Sequence, residues 1–153
     1  MRNILAIDPG KASGIALFRF DPVDPVLIWA GEYQQEDYAN PIRAAIQGTF
    51  DEGADLDVVC ERFTINAQTV KNSQAPFSLE QIGILKQCML DANLDTGRIN
   101  FQSPSDAKGM FTNQALKKLE YWHRGGEGHA LDAIRHGLLR CVKTGWKPVK
   151  LLQ

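Results

Sequence analysis

The sequence predicts an α/β fold: a mixed five-stranded sheet, built from a three-strand antiparallel meander plus two parallel strands and flanked by helices. Two observations predict it. Three strand-sized apolar runs follow one another within the first thirty-one residues, separated only by turn residues, which is a meander. The later apolar runs then alternate with stretches of helical periodicity, which is the pattern of crossover connections in a mixed sheet.

The elements follow in order. Residues 3–7 (NILAI) read as a short buried strand, and DPGKASG turns the chain through Pro and Gly. IALF at 15–18 is a second strand, DPVDP at 21–25 a turn, and VLIWAG at 26–31 a third strand. Residues 37–52 read as a helix with Ile42, Ala45, Ile46 and Phe50 on its apolar face; Pro41 suits the first turn, with Asn40 or Asp37 near the cap. DVVCE at 57–61 is a buried strand. Residues 62–76 are polar and irregular, a loop. Residues 77–92 carry Leu79, Ile82, Leu85 and Met89 at helical spacing. INFQ at 99–102 is a short strand, Ser103-Pro104-Ser105-Asp106 resembles a capped helix start, and a second short helix starts near Thr112. Gly125 to Gly128 (GGEG) breaks the chain before a helix over 129–142; the tail is short and basic.

With 153 residues, one domain over 1–153 is the expectation. A hydrophobic share of 44% and a charged share of 23% exclude disorder along the whole chain. No apolar run approaches the roughly 20 residues of a membrane span, and the N-terminus lacks the apolar core and cleavage site of a signal peptide. We expect a cytoplasmic protein. Cys60, Cys88 and Cys141 are odd in number and form no CxxC pair, which argues for buried thiols. The net charge of −1 conceals a polarity: residues 1–60 hold four basic and ten acidic residues, residues 61–153 thirteen basic and eight acidic. Such a chain either presents a basic face to a polyanion or scatters its charges in space.

Asp8 ends the run ILAI directly before Pro-Gly, so it either caps a turn or faces a crevice at a strand end. Glu61 ends the run VVC in the same way; a carboxylate there is costly unless solvated, paired or coordinated. On the last helix, at about 100° per residue, Leu131, Ile134, Leu138 and Val142 share one side while His129, Asp132 and His136 share the other. That polar stripe is either a solvated face or a pair, His129 and Asp132, one turn apart and projecting together. Two strand-end acids plus an acid on a late helix make an oxygen-rich set suited to hard divalent cations, and two such ions can activate water against a phosphodiester.

ILAIDPGKASGIALF resembles the first motif of RuvC-like Holliday junction resolvases of the RNase H-like superfamily. DVVCERF resembles their second motif, and HALDAIRHGLL their C-terminal helix motif, in which two metal-binding residues stand three apart. Order and spacing match across nearly the whole chain, and its short, divergent sequence is reminiscent of phage versions. The resemblance implies an RNase H-like fold. It also implies a metal site of Asp8, Glu61, His129 and Asp132, holding Mg²⁺ or Mn²⁺, two ions per site. Many relatives have Asp where His129 stands, so His129 is a ligand, a base or a bystander; His136 has no clear equivalent and ranks below it. The resemblance further implies that Lys108 lies near the scissile phosphate, and that the loop after Glu61, with Arg62, Phe63 and Lys71, touches DNA. Phe63 would stack on a base there, unless it packs in the core. Lys117, Lys118 and Arg124 would extend the phosphate contacts. The helix over 77–92 would face a partner subunit in a homodimer, its apolar residues serving equally well as internal core. The implied activity is a divalent-metal-dependent endodeoxyribonuclease that resolves four-way DNA junctions, leaving 5′-phosphate and 3′-hydroxyl ends. Rival readings are a related nuclease acting on flaps, forks or other branched DNA; an actin-like nucleotide-binding domain using DPGKASG, disfavoured by the absence of a second phosphate loop; and a catalytically dead junction-binding module.

Overall fold

A computed structural model describes residues 1–71 and 75–153. Part of the loop expected over 62–76 therefore lies outside the described residues. The sheet has the order β3-β2-β1-β4-β5. Strands β1 (Arg2–Asp8), β2 (Ala12–Arg19) and β3 (Val26–Gln34) form the antiparallel meander, while β4 (Asp55–Glu61) and β5 (Asn100–Gln102) run parallel to β1. The expected α/β sheet is the one observed.

The central strands are apolar on both faces because both faces are covered. Ile4, Ala6, Phe18 and Val59 point to one side, where α4 (Pro104–Met110), α5 (Asn113–Lys118) and α6 (His129–Lys143) close the core with Leu116, Ile134 and Leu138. Leu5, Ile7, Leu17 and Val58 point to the other, under α1 (Ala39–Asp51) and α3 (Ala75–Asp91). Each fully buried Leu or Ile contributes about 1.5–3 kcal/mol. Asp8 continues the alternation of Ile4 and Ala6, and Glu61 that of Val59, so both acids face α6. All three cysteines are free and buried. Among the described residues, no helix is long and apolar enough to cross a membrane.

Two glycines bring α6 close to the sheet. A Cβ on Gly14 of β2 would stand 1.8 Å from the His129 carbonyl oxygen, and one on Gly137 would stand 2.4 Å from the Phe18 ring. The first contact seats the start of α6 directly over the ends of β1 and β2.

Three expectations are corrected, and one open alternative is decided. The helix over 37–52 is preceded by a 3-10 turn, and its N-cap is Tyr38, without a side-chain cap, rather than Asn40 or Asp37. Tyr38 is fully buried and anchors that end by packing; on the same helix Thr49 is buried and Phe50 is exposed. The loop after Glu61 contains a short helix, α2 (Ala67–Val70), closed by reciprocal Asn66–Thr69 capping, a box built on Asn and Thr rather than on the usual Ser and Glu. In α3 the buried positions are Ser78, Gln81, Leu85, Cys88 and Met89, while Leu79 is exposed. Ser78, on the buried side, donates to the Pro9 carbonyl at 3.1 Å. Finally, the polar stripe of α6 is no solvated face, since His136 is 1% exposed.

Candidate active site

Register brings the first two acids together. Ile7 pairs with Cys60 across the parallel β1–β4 ladder, so Asp8 and Glu61, the next residue on each strand, end side by side. α6 starts above them at Gly128, whose φ of 98° lets the chain turn into the helix. His129 Nδ1 lies 3.1 Å from Asp8 Oδ2. His136, two turns along, places Nε2 at 2.9 Å from Glu61 Oε2 and Nδ1 at 2.9 Å from Gln102 Oε1. Asp132 accepts from Arg135 Nη1 at 2.7 Å and lies 3.4 Å from Lys108 Nζ. Arg135 itself is buried, donating also to the Phe111 carbonyl at 2.8 Å and to Asn113.

These groups border a cleft of about 880 Å³ lined by Asp8, Glu61, His129 and Asp132 together with Lys11, Glu32, Arg62, Phe63, Ser78 and Glu127. Its electrostatics follow from burial. Loss of solvent pushes the Asp8 carboxyl up to about 6; Glu61 and Asp132 add to the rise, and the His129 hydrogen bond opposes it. His129 is raised as well, chiefly by its hydrogen bond to Asp8. Glu32 goes the other way: burial raises it, but the backbone N–H groups of Glu127 and Gly128 outweigh that and hold it below the usual carboxylate range. At 3.0 and 3.1 Å, those bonds tie β3 to the entry of α6.

The sequence-predicted residues thus divide by place. Asp8, Glu61, His129, Asp132, Arg62 and Phe63 line the cleft, and Lys108 stands at the rim beside Asp132. Phe63 is half-buried and belongs to neither core cluster. Lys71, Lys117, Lys118 and Arg124 are exposed and do not line it; Lys117 lies 4.6 Å over the Trp122 ring. Residue-by-residue reading missed Glu32, Gln102 and Arg135. Arg135 had a signal, a charge three residues after Asp132 inside an apolar helix. So did Gln102, a polar strand end like Asp8 and Glu61. Glu32 had none, because its partners lie about ninety-five residues away.

The chemistry of the donor set suits a hard divalent cation: Asp8, Glu61, Asp132 and the His129 imidazole border one cleft, and Asp8, raised chiefly by burial, is raised further by the negative charges of Glu61 and Asp132. Each acid is held by a nitrogen of the protein, and among the described residues no three His, Cys, Asp or Glu side chains converge on a single point.

Neither a protein-family model nor a curated protein matches the sequence. Solved structures do match the fold. Thermus thermophilus RuvC in complex with a Holliday junction substrate aligns with a TM-score of 0.66 at 13% identity, over 95% of this chain and 97% of that one. The chain carries the RuvC-type fold. Thermus thermophilus RuvC in a second structure gives 0.64 at 14% identity over 94% and 96%. The Fowlpox virus resolvase, with its substrate Holliday junction DNA, gives 0.56 at 14% over 93% and 98%. The likeness covers nearly the full length in each case, so the RuvC-type sheet and its helices account for almost the whole chain.

Proposed function

We propose that this protein is a divalent-metal-dependent endonuclease that resolves four-way DNA junctions, acting as a homodimer. One observation carries the reading: on a RuvC-type sheet, Asp8, Glu61, His129 and Asp132 come from two strand ends and one helix to line a single cleft. Asp8, Glu61, Asp132 and His129 are the residues that would hold Mg²⁺ or Mn²⁺, two ions per site. Bound there, the ions supply an activated water and charge compensation at the leaving oxygen.

The chain's own groups do the rest. Lys108, more than half exposed beside Asp132, contacts the phosphate to be cut. Arg62 and Phe63 on the cleft wall meet the strand and stack on a base. Lys71, Lys117, Lys118 and Arg124 hold more distant phosphates, so shape is read before sequence. His129, whose proton affinity is raised by Asp8, holds or passes a proton at Nδ1. Cleavage leaves 5′-phosphate and 3′-hydroxyl ends.

The test is cleavage of an end-labelled four-way junction, a flap and a replication fork in Mg²⁺ or Mn²⁺, by wild type and Asp132→Asn. We expect the wild type to cut the junction into religatable nicked duplexes, and the variant to bind it without cutting. Full cleavage by Asp132→Asn, or no cleavage of any substrate by the wild type, overturns the reading. Preference for the flap or fork moves the substrate and keeps the chemistry.

A further inference from the structure

We infer that His136 is a positioning residue for Glu61: its imidazole, held by Gln102, fixes one carboxylate oxygen of Glu61 so that the other faces the cleft. The inference rests on the metal-site reading above. His136 is 1% exposed and Gln102 4%, so neither side chain is there to meet solvent or DNA. The imidazole lies between them, with Nε2 on Glu61 Oε2 and Nδ1 on Gln102 Oε1, both at 2.9 Å. A carboxylate oxygen brings no proton, so Nε2 donates. This holds for either setting of the Gln102 amide. With Gln102 Oε1 toward the ring, Nδ1 also donates, and Gln102 Nε2 is buried with no partner among the described residues; turned by 180°, the amide N–H would satisfy Nδ1 instead.

Glu61 needs such a holder. It ends β4, its side chain is 22% exposed, and a glutamate free to rotate loses side-chain entropy on fixing a cation. Asp8 is held by His129 and Asp132 by Arg135; without His136, Glu61 would be the one acid of the three with no such partner among the described residues. The three holders are spread along α6 at 129, 135 and 136, so the helix that brings Asp132 to the cleft also sets the acids on the sheet. Hydrogen-bond partners behind metal-binding carboxylates typically change affinity by about 10–100-fold when removed.

The experiment compares His136→Gln, which keeps an N–H donor, with His136→Leu, which keeps volume without one. Mn²⁺ binding is measured by calorimetry without DNA, thermal melting controls for folding, and junction binding is measured in EDTA. We expect His136→Leu to bind Mn²⁺ about tenfold more weakly, His136→Gln to recover most of that loss, and both to bind the junction as the wild type does. His136→Leu binding Mn²⁺ as tightly as the wild type, or both variants losing affinity equally, overturns the positioning role alone. If His136→Leu does not fold, His136→Ala, which also removes the donor, takes its place by the same measure. A wild type that binds no Mn²⁺ overturns the metal reading, and this inference with it.

Discussion

Asp8 is a carboxyl whose solvent has been replaced by protein, 6% exposed and raised from an ordinary 3.8 to about 6. A carboxyl with a raised folded pKa favours the folded state while protonated, and that advantage is lost as pH rises from 3.8 through 6. His129 is raised too, so its contribution is present at low pH and fades as pH rises through its folded value. Both run the same way. The metal-free protein should therefore be more stable near pH 5 than near pH 8, with Asp8 accounting for about 1.4 kcal/mol of the difference, since the rest of its shift takes effect below pH 5. Thermal melts in EDTA across that range check it. Asp8→Asn should flatten the profile and abolish cleavage while leaving junction binding intact. A variant with the wild-type slope would show that Asp8 is not the group that pH acts on.

At the scale of elements, α6 shows how far the sequence could be read. The spacing of His129 and Asp132 placed them together, and the apolar runs ending in Asp8 and Glu61 marked two strand ends. Register, which no single run contains, made those ends neighbours. Helical periodicity separated two faces of α6 but could not say what covers each. The stripe with His136 looked like a solvated face; it lies under Gln102 and Glu61, 34 and 75 residues away in sequence. The fit of α6 on the sheet predicts contrasting glycine effects. Gly14→Ala would drive a Cβ into the His129 carbonyl, displacing the start of α6 and costing about 3 kcal/mol, with cleavage lost alongside. Gly83→Ala in α3 meets nothing within 4 Å and should gain about 0.5–1 kcal/mol, as a helix-interior glycine does. Chemical denaturation of the two variants measures both signs, and equal effects would mean that α6 does not bear on the sheet as described.

For the molecule as a whole, each chain brings one cleft, while a four-way junction offers two symmetry-related strands. On the proposed reading, a two-fold dimer would match that symmetry and make both cuts in one encounter. Leu79 and Leu90 on α3 are 46% and 56% exposed, apolar surface on the helix whose buried residues pack against the sheet face opposite α6. α3 also reaches the cleft, since Ser78 lines it and bonds the Pro9 carbonyl, so pairing through this helix would couple two clefts. Replacing both leucines with arginine leaves the buried Leu85, Cys88 and Met89 in place and should preserve the fold while placing like charges across the proposed interface. Light scattering should then show a dimer for the wild type and a monomer for the variant. On a supercoiled plasmid bearing an extruded cruciform, the wild type should give linear product from paired cuts, and the variant nicked circles from single ones. Linear product from a demonstrated monomer would mean that one chain cuts both strands in turn, and α3 would then have no part in pairing the incisions.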